Sequence, residues 1–229
     1  MDIPQDHAIH TNRLSKRILV WDLPTRLFHW LLVASVMISF LTGNIGGNAM
    51  EIHEWSGFVI LSLLLFRLVW GFVGGRQSRF AAFVRGPVAV VRYAAGIVRG
   101  DAPRCLGHNP LGGWSILAML ATLLIQALTG LFATDDILTQ GPLYPSVSEA
   151  VSAYLTRIHR LNQNLIIGLI VVHLLAVVFY LIVKCENLIK PMILGIKDWH
   201  ESAQPSTANH VLAAAIAGLA ALAVFLVVR

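Results

Sequence analysis

Nine histidines carry most of the chemical potential of this 229-residue chain, and four of them sit where histidine is costly. His29, His53, His159 and His173 lie in, or at the ends of, long apolar runs. His7, His10, His200 and His210 lie in polar flanks, and His108 lies in a turn. An ionisable side chain inside a membrane span marks a functional site by default. A lone one is readily explained as a polar group bonding two helices; four over three spans are not. His159 and His173 are fourteen residues apart. At about 100° per residue they share one helix face to within about 40°, roughly 21 Å apart along the axis. That spacing suits one site toward each side of a bilayer. No cysteine or carboxylate cluster accompanies them, which disfavours zinc. Paired imidazoles in an apolar site between helices suit the two axial positions of a haem iron.

The elements that must hold these residues are membrane spans. The chain is 56% hydrophobic and 13% charged, with a mean hydropathy of +0.70; a soluble domain carries roughly 25% charged residues. Runs of about 20 apolar residues suffice to cross. Four are expected at about Pro24–Gly43, Ile52–Gly74, Leu111–Ala133 and Tyr154–Val183, with a shorter, Ala-rich fifth at Val211–Val228. The net charge of +5 reads as membrane orientation, with no nucleic-acid partner implied. Basic residues gather before span one (Arg13, Lys16, Arg17, Arg26), between spans two and three (Arg76, Arg79, Arg85, Arg92, Arg99, Arg104) and after span four (Lys184, Lys190, Lys197). The positive-inside rule places these segments in the cytoplasm. Arg157 and Arg160, at the outer start of span four, run against the rule and are outnumbered. Spans one and three then run outward, two and four inward. His29 and His173 fall at the inner depth, His53 and His159 at the outer, and depth alone pairs them so.

The pattern defines an all-α membrane protein: a four-helix transmembrane bundle binding two haems, plus a fifth C-terminal helix. Residues 1–23 form a cytoplasmic segment without signal-peptide character, 24–184 the di-haem core with a basic loop at 75–110, and 185–229 a cytoplasmic stretch and the fifth helix. Phe83–Val98, with Arg85 and Arg92, is expected to lie as an amphipathic helix on the inner leaflet. Cys105 and Cys185 form no Cys-x-x-Cys pair, and without a Cys-x-x-Cys-His motif covalent haem attachment is excluded. Gly43, fourteen after His29, is expected to leave room for a macrocycle edge. Arg67, fourteen after His53, either pairs with a haem propionate or snorkels to the interface. Gly57, Gly130 and Gly168 suit close packing of helices or haem. No internal repeat is evident.

The stretch Val20–Trp21–Asp22–Leu23–Pro24–Thr25–Arg26–Leu27–Phe28–His29–Trp30 resembles the opening of the bacterial cytochrome b561 and nickel–iron hydrogenase b-type cytochrome subunit family. Ile52–His53–Glu54–Trp55–Ser56–Gly57 resembles its second helix, and Gly107–His108–Asn109–Pro110–Leu111–Gly112–Gly113 the turn into its third. Ile158–His159–Arg160 and Val172–His173 resemble its fourth. The resemblance covers about residues 17 to 197. It implies two non-covalent haems b, the same ligand pairing, and electron transfer between a quinone pool and a partner redox protein. It further implies a quinone site near the inner haem, at positions matching Asn109 and Gly112; Asn109 before Pro110 equally suits a helix cap. The implied partner is periplasmic, a c-type cytochrome or a hydrogenase-like enzyme, and the location the bacterial inner membrane, with an oligomer also compatible. An acidic loop around Asp135, Asp136 and Glu149 suits docking of a basic partner. The alternative is a stand-alone quinol-linked oxidoreductase that meets a small oxidant such as superoxide at the outer haem, with Arg157 and Arg160 on the route.

Overall fold

The computed structural model describes residues 16–135, 139–199 and 202–229. Strand β1 (Lys16–Leu19) leads into α1 (Leu23–Ile45), whose start is fixed by Asp22 accepting from the Thr25 N–H at 2.8 Å and by Pro24 in the first turn. Glycines 46 and 47, at φ +69° and +55°, turn the chain sharply into α2 (Met50–Val73). The short α3 (Phe80–Phe83) precedes α4 (Pro87–Arg99), and α5 (Pro110–Gly130) follows, capped by Asn109. Helix α6 (Glu149–Ile182) is capped by Ser148, α7 (Ile189–Leu194) leads into β2 (Ile196–Trp199), and α8 (His210–Val228) is capped by Asn209.

Five helices, α1, α2, α5, α6 and α8, are long and apolar enough to cross a membrane. All five expected spans are present, with shifted ends. Helix α6 starts five residues before the expected Tyr154, because Ser148 offers a cap there. Helix α5 stops at Gly130, short of Ala133. There Gly141 N–H donates to Ala133 O at 2.8 Å and Leu143 N–H to Leu131 O at 2.8 Å, folding the chain back. Helix α1 packs along α2, α5 along α6, and α8 against α2. The core joins Phe28, Ile60, Leu64, Phe66, Trp70 and Leu120 to Ala213 and Ala220 of α8. Elsewhere the helices present bare aliphatic faces, on α6 for instance Leu161, Leu165, Val172, Leu175 and Ile182. Only hydrocarbon tolerates such faces over this length.

Two expectations need correction. Residues 83–98 do not form one surface helix: α3 ends at Phe83, and Gly86–Pro87 restarts the chain as α4, since a proline lacks the N–H to continue a helix. Helix α4 is nonetheless two-faced. Tyr93 and Gly96 are buried, while Val88, Val91, Arg92, Val98 and Arg99 are exposed. The second is an unforeseen element. Strands β1 and β2 pair antiparallel, Lys16 opposite Trp199 and Leu19 opposite Ile196, tying the N-terminal arm to the chain beyond α6.

Candidate functional site

Helices α1 and α2, and likewise α5 and α6, form two hairpins, and at one end each hairpin builds a histidine in the same way. His53 places Nδ1 2.8 Å from the Ser39 carbonyl of α1, and His159 places Nδ1 2.9 Å from the Gln126 carbonyl of α5. Each acceptor lies one turn before a glycine. A Cβ at Gly43 would stand 2.7 Å from His53 Nδ1, and one at Gly130 3.0 Å from His159 Cε1. Each glycine follows a threonine, Thr42 or Thr129, whose hydroxyl bonds back to the same carbonyl at 3.3 and 3.1 Å. The sequence Leu-Thr-Gly therefore occurs twice, at 41–43 and 128–130, as a repeated imidazole cradle. Gly43 makes room for the His53 ring. Three shared residues are too few to register as a sequence repeat, and the likeness lies in their roles.

An Nδ1–H tied to a main-chain carbonyl fixes the tautomer and leaves Nε2 as the free lone pair, the arrangement that metal-binding imidazoles adopt. The His53 and His159 ring centres are 6.1 Å apart, their planes at 80°. An atom held between two imidazole nitrogens at about 2 Å each sets the ring centres about 6 Å apart. The pair thus fits an axially ligated iron. Among the described residues no group of three or more His, Cys, Asp or Glu assembles.

The opposite end is built differently. His29 lies within electrostatic reach of His173, and both lie within reach of His108. The buried side-chain nitrogens without a hydrogen-bond partner among the described residues are Arg26 Nε, His29 Nδ1, Arg67 Nη1 and His108 Nδ1, and all belong to this end. Arg67 is 3% exposed, with its guanidinium 4.9 Å from the Phe80 ring centre. It does not snorkel outward. Fourteen residues separate His53 from Arg67 and His159 from His173, so Arg67 holds the place on α2 that His173 holds on α6. His108 was assigned only to a turn, yet its ring stands 4.5 Å from Trp21 and 5.1 Å from Phe83. Burial, then the Arg67 charge, push its pKa down to about 3.

Around this end run three fixing networks. Asp22, 1% exposed, accepts from Thr25 N–H, Gly75 N–H at 3.1 Å, Ser78 Oγ at 2.7 Å and Trp70 Nε1 at 3.4 Å, joining the start of α1 to the end of α2. Lys197 Nζ meets Glu186 at 2.6 Å and donates to Cys105 O at 2.7 Å. Asn109 Oδ1 accepts from Gly112 N–H at 2.8 Å, and Asn109 Nδ2 donates to Tyr180 Oη at 2.8 Å. Tyr180 in turn meets Tyr93 Oη at 3.1 Å. Asn109 is thus a helix cap that uses Gly112 N–H, and its second Nδ2 hydrogen is the donor left over. Gly57 and Gly168 have open space where a Cβ would stand. Of the acidic loop, Asp136 lies outside the described residues, as do Arg13, His7, His10 and His200.

Helices that cross a membrane, with paired imidazoles facing one another between them, define a membrane cytochrome. The description prokaryotic cytochrome b561 matches residues 20–195, and the chain belongs to that family. It is 25% identical over 215 residues to a probable Ni/Fe-hydrogenase B-type cytochrome subunit of Rhizobium leguminosarum bv. viciae, covering 78% of this chain and 87% of the relative. A protein of the same description from Bradyrhizobium diazoefficiens is 22% identical over 226 residues, covering 80% and 87%. The probable Ni/Fe-hydrogenase 1 B-type cytochrome subunit of Escherichia coli strain K12 is 25% identical over 136 residues, 48% of this chain and 57% of the relative. The chain is accordingly a multi-pass membrane protein that binds haem b and transfers electrons.

Proposed function

We propose that this chain carries electrons across the bacterial inner membrane between the quinone pool and a redox protein on the periplasmic face, through two haems b. His53 and His159 ligate the outer haem, and His29 and His173 the inner. The observation that carries the proposal is the outer pair: two carbonyl-anchored imidazoles with ring centres 6.1 Å apart. The haem iron supplies the one-electron chemistry. The protein's own part is to fix the imidazoles, exclude water with apolar helices and set the two sites about 21 Å apart along α6. The N-terminus, the segment between α2 and α5, and the β1–β2 ribbon lie in the cytoplasm, where arginines 76, 79, 85, 92, 99 and 104 gather. A quinone binds beside the inner haem near Asn109, whose free Nδ2 hydrogen can donate to a quinone carbonyl. The partner class follows the printed names of the relatives: a hydrogenase-like enzyme, or else a c-type cytochrome, meeting the outer face.

The test is pyridine haemochrome analysis of the purified chain, with about two haems b per chain expected. His173→Ala should remove the inner haem and spare the outer; loss of the outer alone refutes the pairing. A groove along the start of α6, lined by Thr134, Ala153, Thr156, Arg157, Arg160 and Leu161, carries two arginines, and these support a second reading, in which a small anionic oxidant such as superoxide is drawn to the outer end of the bundle and oxidises the outer haem. Quinol-reduced protein free of any partner would then be reoxidised by superoxide, and Arg157→Gln with Arg160→Gln would slow that step.

A further inference from the structure

We infer that His108 and Arg67 together bind one carboxylate of the inner cofactor, forming a two-point anion cradle. The inference rests on the two-haem reading above and adds a residue to it, His108. Arg67 is a buried cation that makes no ion pair among the described residues. Asp22, the carboxylate that acts on it electrostatically, already accepts from four donors. A buried guanidinium left so is strongly unfavourable unless an anion joins it. His108 is wedged between Trp21 and Phe83 at 4.5 and 5.1 Å, and the Phe83 ring stands 5.9 Å from the Phe80 ring that carries Arg67. The Arg67 Nη1 and His108 Nδ1 atoms are both buried and unpartnered. Arg67, His29 and His173 all act electrostatically on His108, so His108 belongs to the same end of the bundle as they do. The charge is also right. Arg67 brings a single positive charge to the cradle, matched by a single carboxylate. With its proton on Nδ1, His108 donates one hydrogen bond and Arg67 a charge-assisted second. A haem ring held between His29 and His173 brings its own propionates to this depth; a phospholipid phosphate offers the same oxyanion chemistry from outside.

The full-length chain, stripped of haem in detergent, is reloaded with haemin or with haemin dimethyl ester, which keeps the iron and ring but lacks both carboxylates. The His53→Ala variant isolates the inner equivalent. Wild type should take up two equivalents of haemin but only one of the ester, and His53→Ala should take up haemin but not the ester. His108→Phe preserves the aromatic stack; it should weaken inner haemin binding about ten- to a hundredfold and leave the outer site unchanged. Arg67→Met should do the same. Equal loading of ester and haemin at the inner site, or an unchanged inner affinity in His108→Phe, overturns the cradle and leaves two haems standing. Phospholipid that co-purifies with wild type and is lost in Arg67→Met, together with full ester loading, assigns the cradle to lipid and overturns it as a haem site. Uptake of one haemin by wild type removes the two-haem reading, and the cradle with it.

Discussion

At the scale of single residues, the two ends of the bundle use opposite devices. The outer imidazoles are held by main-chain carbonyls and by glycines that let the rings approach. Gly43→Ala would drive a methyl to 2.7 Å from His53 Nδ1. Overpacking of this kind costs about 1–3 kcal/mol. The low-spin electron paramagnetic resonance signal of the outer haem should shift or weaken, while the inner signal stays. His108 brings a pH dependence to the haem-free protein. Folded, it takes a proton only near pH 3; unfolded, it does so at its ordinary 6.5. Above 6.5 the two states bind equally and there is no effect. As pH falls from 6.5 toward 3 the unfolded chain gains a proton that the folded one refuses, so stability drops by up to about 1.4 kcal/mol per pH unit. Arg67, His29 and His173 face this ring and oppose its protonation. Thermal denaturation of apo-protein should show the slope, and His108→Phe should flatten it.

At the scale of elements, the start of α1 and the end of α2 are locked together by Asp22. Asp22→Ala removes a helix cap and strands buried donors at about 1–3 kcal/mol each. A loss of about 3 kcal/mol or more is expected in reversible unfolding by sodium dodecyl sulfate. Helix α8 packs chiefly against α2, through Ala213, Ala220 and Val224. Deleting residues 208–229 should therefore lower the thermal midpoint and leave the haem-to-protein ratio as it was. Element existence was legible in the sequence because hydrophobic run length alone decides a membrane span. Their ends were not, since these depend on which cap residue wins: Ser148 over Tyr154 for α6, and the Gly141 turn over Ala133 for α5. The four histidines were legible because a polar residue in hydrocarbon is conspicuous. Gln126, Ser39 and His108 were not. Carbonyl acceptors have no side-chain signature, and the walls of His108, Trp21 and Phe83, come from distant stretches of chain.

At the scale of the whole molecule, charge asymmetry and the ribbon agree. Strand β1, strand β2, the Lys197–Glu186 pair and Cys105 all gather at the end bearing His29 and His173. Cys185 is exposed at that end, whereas Cys105 is half-buried and burial raises its thiol pKa. A membrane-impermeant maleimide should therefore label Cys185 in inverted vesicles and not in intact spheroplasts, with Cys105 reacting more slowly. Labelling from the periplasmic side would invert the whole assignment.

The doubled Leu-Thr-Gly turn has a consequence for how this protein can vary. Its ligand support is written in backbone, so positions 39 and 126 already differ, serine in one and glutamine in the other, without changing the atom that each supplies. The Ser39 hydroxyl also stands 3.3 Å from His53 Nδ1, and Gln126 Oε1 accepts from Asn162 Nδ2 at 2.8 Å, yet a saturation library should accept more residues at 39 and 126 than at 43 and 130, where nearly everything but glycine should be rejected. Tolerance would thus be lowest at the two residues with no side chain at all.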